Sequence, residues 1–362
     1  MIHLSKVIIL SALLLWLGMI HPVSAQSSCG DLSVDDCDLL QTAQITTSNL
    51  SSATFQAIIE TSLGFEFLGN LFELRVVADG AYSRVSVDSR DIEADYLPFY
   101  ELNADMSLFI DITFSEFLLP DDDTVTTTSL NLRYVDGMGY ADLTKILPFV
   151  SPILNRDSWY RVDVPEYIRR LMRDLILPSD FLSSGNIAFA LDYWGSLADV
   201  GSSVTRLEDD QRDDQTFAVF ENVLVFGTLF DENPFEEQLF INLFTEFLEA
   251  EYGGIYDDKE LRQSAVFYAD LFRSAEIRLM QMVGLDDGYV HQTYFTLNFA
   301  PNSDDILNPD PLGLSMFSGA ELYFSIDFRY TQFEDVPLTT APEDSTPVRY
   351  EDIFGSGDTS PF

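Results

Sequence analysis

Histidine is scarce in this chain. The 362 residues hold three, and since His3 and His21 fall in the N-terminal leader described below, His291 stands alone in the remainder. A His-Glu-x-x-His zinc site, a multi-histidine metal cage and a two-histidine iron centre are therefore excluded. A Ser-His-Asp hydrolase would have to use His291, yet no Gly-x-Ser-x-Gly elbow presents a serine. Walker A and Gly-x-Gly-x-x-Gly sequences are also lacking, so no nucleotide or dinucleotide cofactor is expected. Basic residues are few: 19 Lys and Arg face 60 Asp and Glu, a net charge of −41. Such a chain has no excess of cations to neutralise phosphates, which argues against nucleic acid as a partner.

Long hydrophobic runs are equally rare, and the one present lies at residues 7–20. Lys6 precedes it and Val23-Ser24-Ala25 follows, the pattern of a secretory signal over residues 1–25, cleaved after Ala25. The run is shorter than the ~20 residues of a bilayer span and is followed by Pro22, so no transmembrane segment is expected in the mature chain. Cysteine occurs only at positions 29 and 37. In an oxidising compartment Cys29 and Cys37 read as a disulfide. The alternative, lipidation of Cys29, is disfavoured because Gln26-Ser27-Ser28 lacks the aliphatic residue of a lipoprotein signal. The expected location is secreted or in the cell envelope.

What the chain does have is apolar material: 46% hydrophobic residues, with 29 Phe and 16 Tyr. That is too much for an acidic disordered tail and enough for a large core. Residues 26–54 carry the Cys pair and a Ser/Thr-rich stretch that reads as a tether. From 55 to 165 the pattern favours strands, with β-formers over 107–114, alternation over 130–134, and a tight turn at Asp136-Gly137. The middle, 165–288, reads as helical. Pro165 opens one helical run and Pro178 closes it. Phe235, Leu239, Leu243 and Phe247 recur every four residues, and Gly253-Gly254 stops that helix. Asp257 and Asp258 then cap a further helix expected over 259–283. Period-two alternation returns in Phe295, Leu297 and Phe299, and again from Leu322 to Tyr330. The expected domain spans 55–348, followed by a flexible tail over 349–362.

The carboxylates could support other chemistry. Asp121-Asp122-Asp123, or Asp304 and Asp305 with Asp310, offer oxygen ligands for calcium but lack EF-hand spacing, and no resident metal is expected. A pair of carboxylates could hydrolyse a glycoside, though with 60 of them no pair is singled out.

Two stretches carry a family likeness. Tyr134-Val135-Asp136-Gly137-Met138-Gly139-Tyr140, followed by Ser158-Trp159-Tyr160-Arg161-Val162-Asp163, resembles the paired-strand section of LppX/LprG-type lipid-binding lipoproteins. Phe328-Arg329-Tyr330-Thr331-Gln332-Phe333, through Thr340-Ala341-Pro342-Glu343-Asp344 to Val348, resembles their last strand and its Ala-Pro ending. The resemblance implies the LolA-like carrier fold, an α+β architecture in which a curved antiparallel half-barrel sheet is covered by amphipathic helices. It also implies a non-enzymatic protein whose partner is a lipid or other apolar ligand. Candidate lining residues on the apolar faces of the expected strands are Phe65, Phe67, Phe109, Phe295, Leu297, Phe299, Phe324 and Phe328. The same aromatic stripes are also what a solid core would produce. Two other functions stay open: a surface module displayed to an envelope protein partner, and a carboxylate-dependent secreted hydrolase.

Overall fold

The computed structural model describes residue 29 and residues 31–65, 69–85, 101–115, 125–142, 159–164, 202–212, 214–252, 254–301 and 319–348. Two antiparallel meanders supply most of its order. The first runs through β1 (Ser52–Phe65), β2 (Gly69–Arg84), β3 (Leu102–Phe114), β4 (Val125–Val135), β5 (Met138–Asp142) and β6 (Trp159–Asp163). The second runs through β9 (Gln215–Val225), β10 (Ala275–Gly284), β11 (Val290–Phe299) and β12 (Ala320–Phe333). β7 (Ser202–Arg206) and β8 (Asp210–Arg212) both pair with β9, and β13 (Ser345–Pro347) lies beside β6. Because β12 pairs with β1, the meanders merge into one open sheet ordered β13-β6-β5-β4-β3-β2-β1-β12-β11-β10-β9-β7. Every pairing is antiparallel except that of β13 with β6. Among the described residues four helices accompany the sheet: α1 (Val34–Ser48), α2 (Phe226–Glu232), α3 (Pro234–Tyr252) and α4 (Asp258–Phe272). The expected α+β class with a mostly antiparallel sheet and helices is thus present.

Alternation along the strands separates two faces. In β1 the residues Ala53, Phe55, Ala57 and Ile59 are buried, while Thr54, Gln56, Ile58 and Glu60 between them are only half-buried. Register carries this pattern across the sheet: Ile59 lies opposite Val76 and Ile326, and Val76 lies opposite Ile110. The resulting core on β1–β4 and β12 includes Leu74, Leu108, Ile112 and Leu130, with Phe55 stacked on Phe328 at 5.2 Å. The other face carries the charges, paired as Arg75 with Glu60 (3.1 Å), Arg133 with Asp105 (3.0 Å) and Arg278 with Glu221 (2.6 Å). A one-residue slip would exchange these sets, so one apolar face pins the register of every strand.

Local signals account for the ends of several elements. The β4–β5 hairpin turns on Asp136 (φ 52°) and Gly137 (φ 78°), the two successive left-handed residues that a tight primed turn needs. The α4 helix starts with Asp257 accepting from Glu260 N at 2.9 Å while Glu260 accepts from Asp257 N at 3.1 Å, a reciprocal cap. Gly80 sits opposite Phe55, whose ring lies where a side chain would go.

Two expectations are corrected. Residues 41–54 form no tether: residues 41–48 belong to α1, which buries Leu40, Ala43 and Thr47, and β1 begins at Ser52. Ser33 caps α1 by accepting from Asp36 N, and burial against the sheet holds the helix despite its Ser and Thr content. The helix expected over 259–283 ends at Phe272, and Ala275–Gly284 is strand β10, since pairing on both sides with β9 and β11 outweighs local propensity. The middle is therefore mixed, with β7, β8, β9 and β10 flanking α2–α4. The helical run at Pro165 and Pro178, the signal segment and the tail over 349–362 lie outside the described residues.

A Cβ at position 80 would meet Asp105 O, Met106 Cβ and the Phe55 ring, each at 2.8 Å. Gly80→Ala should therefore cost about 1–3 kcal/mol by overpacking. Urea denaturation would show this as a lower midpoint with an unchanged slope.

Candidate ligand-binding face

The helices do not cover the apolar face evenly. Near one end of β9–β11, α1 packs Leu40 and Ala43 against Val204, Ala218, Phe220, Val283 and Val290. Its attachment is also polar: Gln44 Nε2 donates to Gln281 Oε1 at 2.7 Å, and Val290 N donates to Thr47 Oγ1 at 2.8 Å. Near the other end, α2–α4 pack Phe226, Phe230, Phe240, Leu261 and Ala265 over Leu224 and Ala275, with Phe299 reached through Phe272 at 5.6 Å.

Between these two covers lies a stripe of apolar side chains that are only half-buried: Ile277 and Leu279 on β10, Phe295 and Leu297 on β11, Phe324 and Ile326 on β12. Register makes them neighbours. Leu279 faces Phe295, which faces Ile326, and Ile277 faces Leu297, which faces Phe324. The Phe295 and Phe324 rings meet edge-on at 6.1 Å. From Ala275 to Val283 on β10, Thr293 to Phe299 on β11 and Ala320 to Tyr330 on β12, alternation places no charged residue on this face. The stripe ends at a group of amides, Gln44, Asn222 and Gln281, which with Glu221, Leu40, Val204, Phe220 and Leu279 line a cleft of about 20 Å3. That is room for about one water molecule.

The structure brings together Phe295, Leu297, Phe299 and Phe324 on adjoining strands, with Phe328 further along β12 in the closed core and Phe65 at the end of β1 opposite Ala320. Phe109 is different: it points to the polar face, 50% exposed, because β3 alternates about the buried Leu108 and Ile110. Phe67 lies outside the described residues. Sequence reasoning did not reach Ile277, Leu279 or the amides. The β10 residues were read as helix and Gln44 as tether, and the only available signal was the alternation of Ile277, Leu279 and Gln281.

The opposite face holds a connected polar network. Arg212 donates to Gln292 (2.8 Å), Gln292 donates to Asp327 (2.6 Å), and the Tyr294 and Tyr323 hydroxyls lie 3.1 Å apart. The hydrogen bond to Tyr323, then burial, then the charges of Asp327 and Glu60 push the Tyr294 hydroxyl up to about 12. His291 sits at the β10–β11 hairpin, 17% exposed, with Nε2 2.8 Å from Asp287 Oδ2 and its ring edge-on to Phe217 and Phe333. These contacts anchor the hairpin. Cys29 and Cys37 form a disulfide with Cα atoms 5.5 Å apart, which closes the segment entering α1. Among the described residues no group of three or more His, Cys, Asp or Glu side chains could hold a metal ion. The acidic runs at 121–123 and 304–310 lie outside the described residues. No described helix is long and apolar enough to cross a membrane.

Comparison with solved structures returns matches of low sequence identity. The chain is similar to the Mycobacterium tuberculosis lipoprotein LppX at 8% identity and a TM-score of 0.29, with 83% of this chain and 96% of that one covered. It is likewise similar to LprF from Mycobacterium bovis at 9% identity and a TM-score of 0.31, covering 85% and 97%. A DUF1329 family protein from Desulfovibrio piger matches at 10% identity with a TM-score of 0.17, covering 83% and 92%. No protein-family model and no curated protein matches the sequence.

A raised tyrosine pKa means that the folded chain keeps a proton that the unfolded chain releases. The stabilisation from the Tyr294–Tyr323 pair is complete below about pH 10 and is lost as pH rises towards about 12. In a tyrosine-selective 13C NMR titration, Tyr294 should ionise near pH 12, and Tyr323→Phe should return it towards 10, the ordinary value.

Proposed function

We propose that the protein is a non-enzymatic, extracytoplasmic binding protein for a lipid or other apolar ligand, acting as a carrier in the cell envelope. The observation that carries this reading is the half-buried stripe formed by Ile277, Leu279, Phe295, Leu297, Phe324 and Ile326, set between the parts of the face covered by α1 and by α2–α4. Side chains of this kind normally close into a core or meet a partner. An acyl chain laid along the stripe would remove them from water at about 25 cal/mol per Å2 of apolar area. The absence of charged residues from this part of the face means that no ion has to be desolvated when an apolar chain enters. The amides at the end of the stripe offer donors and acceptors for whatever polar group the ligand carries.

The Cys29–Cys37 disulfide fits an oxidising compartment, and the signal pattern over residues 1–25 supplies the route to it. A net charge of −41 keeps an aromatic-rich chain soluble there. The likeness to LppX and LprF points the same way, but the geometry of the stripe stands without it.

The test pairs native mass spectrometry of the mature chain with uptake of a fluorescent fatty acyl probe. Retained masses that extract as lipid are expected from the wild type. Leu297→Gln and Phe324→Gln should each weaken probe binding about tenfold, equivalent to ~1.4 kcal/mol. Phe109→Ser, on the other face, should leave it unchanged. Equal binding by all three variants, each checked by circular dichroism, would remove the stripe as the site.

A further inference from the structure

The two ends of the sheet are protected in different ways. At the β7/β8 end the outer strand is interrupted at residues 207–209, which belong to neither β7 nor β8 although Leu207 N still donates to Val219 O at 2.9 Å, and it is studded with charge. Arg206 pairs with Asp36 and Asp209, and Arg212 pairs with Asp210 at 2.7 Å. Interruption and charge are how edge strands avoid pairing with other chains. At the other end β6 reads Trp159-Tyr160-Arg161-Val162-Asp163, an unbroken strand rich in β-formers. Its outer edge is covered instead by β13, three residues in parallel register, with Val348 N donating to Arg161 O at 2.9 Å.

β13 has the character of a cap. Backbone groups alternate along a strand, so if the Val348 N–H faces β6, the nitrogen of Pro347 faces away. A proline there has no N–H to offer a further strand. The connection leading to β13 leaves β12 at Glu334, whose N–H donates to Ser52 O at 2.9 Å, and runs through 335–344 without sheet pairing, Leu338 being 63% exposed. The contact itself is short and parallel, and Thr346 and Pro347 are exposed, which places it among the parts of a fold that open at low cost.

We propose that β13 is an edge cap that keeps the chain monomeric, and that β6 without it pairs with β6 of a second copy in an antiparallel two-fold ladder. The Arg161 carbonyl points outward, so the backbone groups of Trp159, Arg161 and Asp163 are the ones offered to a partner. A ladder centred on Val162 sets Arg161 of each copy opposite Asp163 of the other. Both are exposed and share one face of the sheet. Two opposite-charge pairs related by symmetry favour this register, whereas a ladder centred on Arg161 would oppose like charges.

Sedimentation velocity over a concentration series tests this on the full mature chain. Thr346→Pro removes an inward-facing N–H from β13 and should convert a monomer into a species of doubled mass, as should truncation after Asp344. Adding Asp163→Arg to either variant should restore the monomer, and adding Arg161→Asp as well should restore the dimer. The proposal is overturned if the truncated chain, folded by circular dichroism, stays monomeric, if its dimer ignores Asp163→Arg, or if the wild type dimerises to the same extent.

Discussion

The ladder between β1 and β12 runs from Ala53 opposite Phe333 to Phe65 opposite Ala320, and it joins strands near opposite ends of the described chain. Each meander alone would leave an unpaired edge at its inner side. Their union makes one sheet with one continuous apolar face, and places Phe328 against Ala57 and Phe55 in the core that spans β12 and β1–β4. Closing so long a loop costs chain entropy before any contact repays it. The joint between the two halves rests on long strands whose alternation leaves one acceptable register.

From that ladder follows the position of the stripe. β12 is shared: on one side it completes the closed core of the first meander, on the other it opens onto β11 and β10. Where α1 and the α2–α4 group reach the sheet, the apolar face is sealed, and between them it is only half sealed. The difference lies in what covers a residue rather than in the residue itself, since Phe324 and Phe328 occupy the same face of the same strand with different burial. Among the described residues, the half-buried stripe arises from uneven coverage of an otherwise ordinary sheet.

The alternating strands were legible beforehand. Leu322 to Tyr330, Phe295 to Phe299 and the Asp136-Gly137 turn all appear as read, because period-two patterns and a primed turn are set by the backbone within a few residues. α1 was not legible because its apolar residues are spread around the helix: Val34 and Ile45 are exposed, while Leu40 and Ala43 are buried. β10 was hidden because Leu279, Met280, Met282 and Val283 also satisfy helical spacing. Phe109 was misassigned by the same limit, since an apolar residue in a strand does not declare its face unless its neighbours are known to be inside.

By itself the sequence determined the class of molecule: acidic, aromatic-rich, poor in histidine, with one cysteine pair, built on alternating strands and capped helices. These properties follow from composition and from interactions within a few residues. Only the tertiary structure decided that β12 joins β1, that residues 275–284 are strand, and that Ile277, Leu279, Leu297 and Phe324 share a half-covered stripe. Those outcomes depend on contacts between residues remote in sequence, whose free energies are settled by burial and pairing partners that no local window contains.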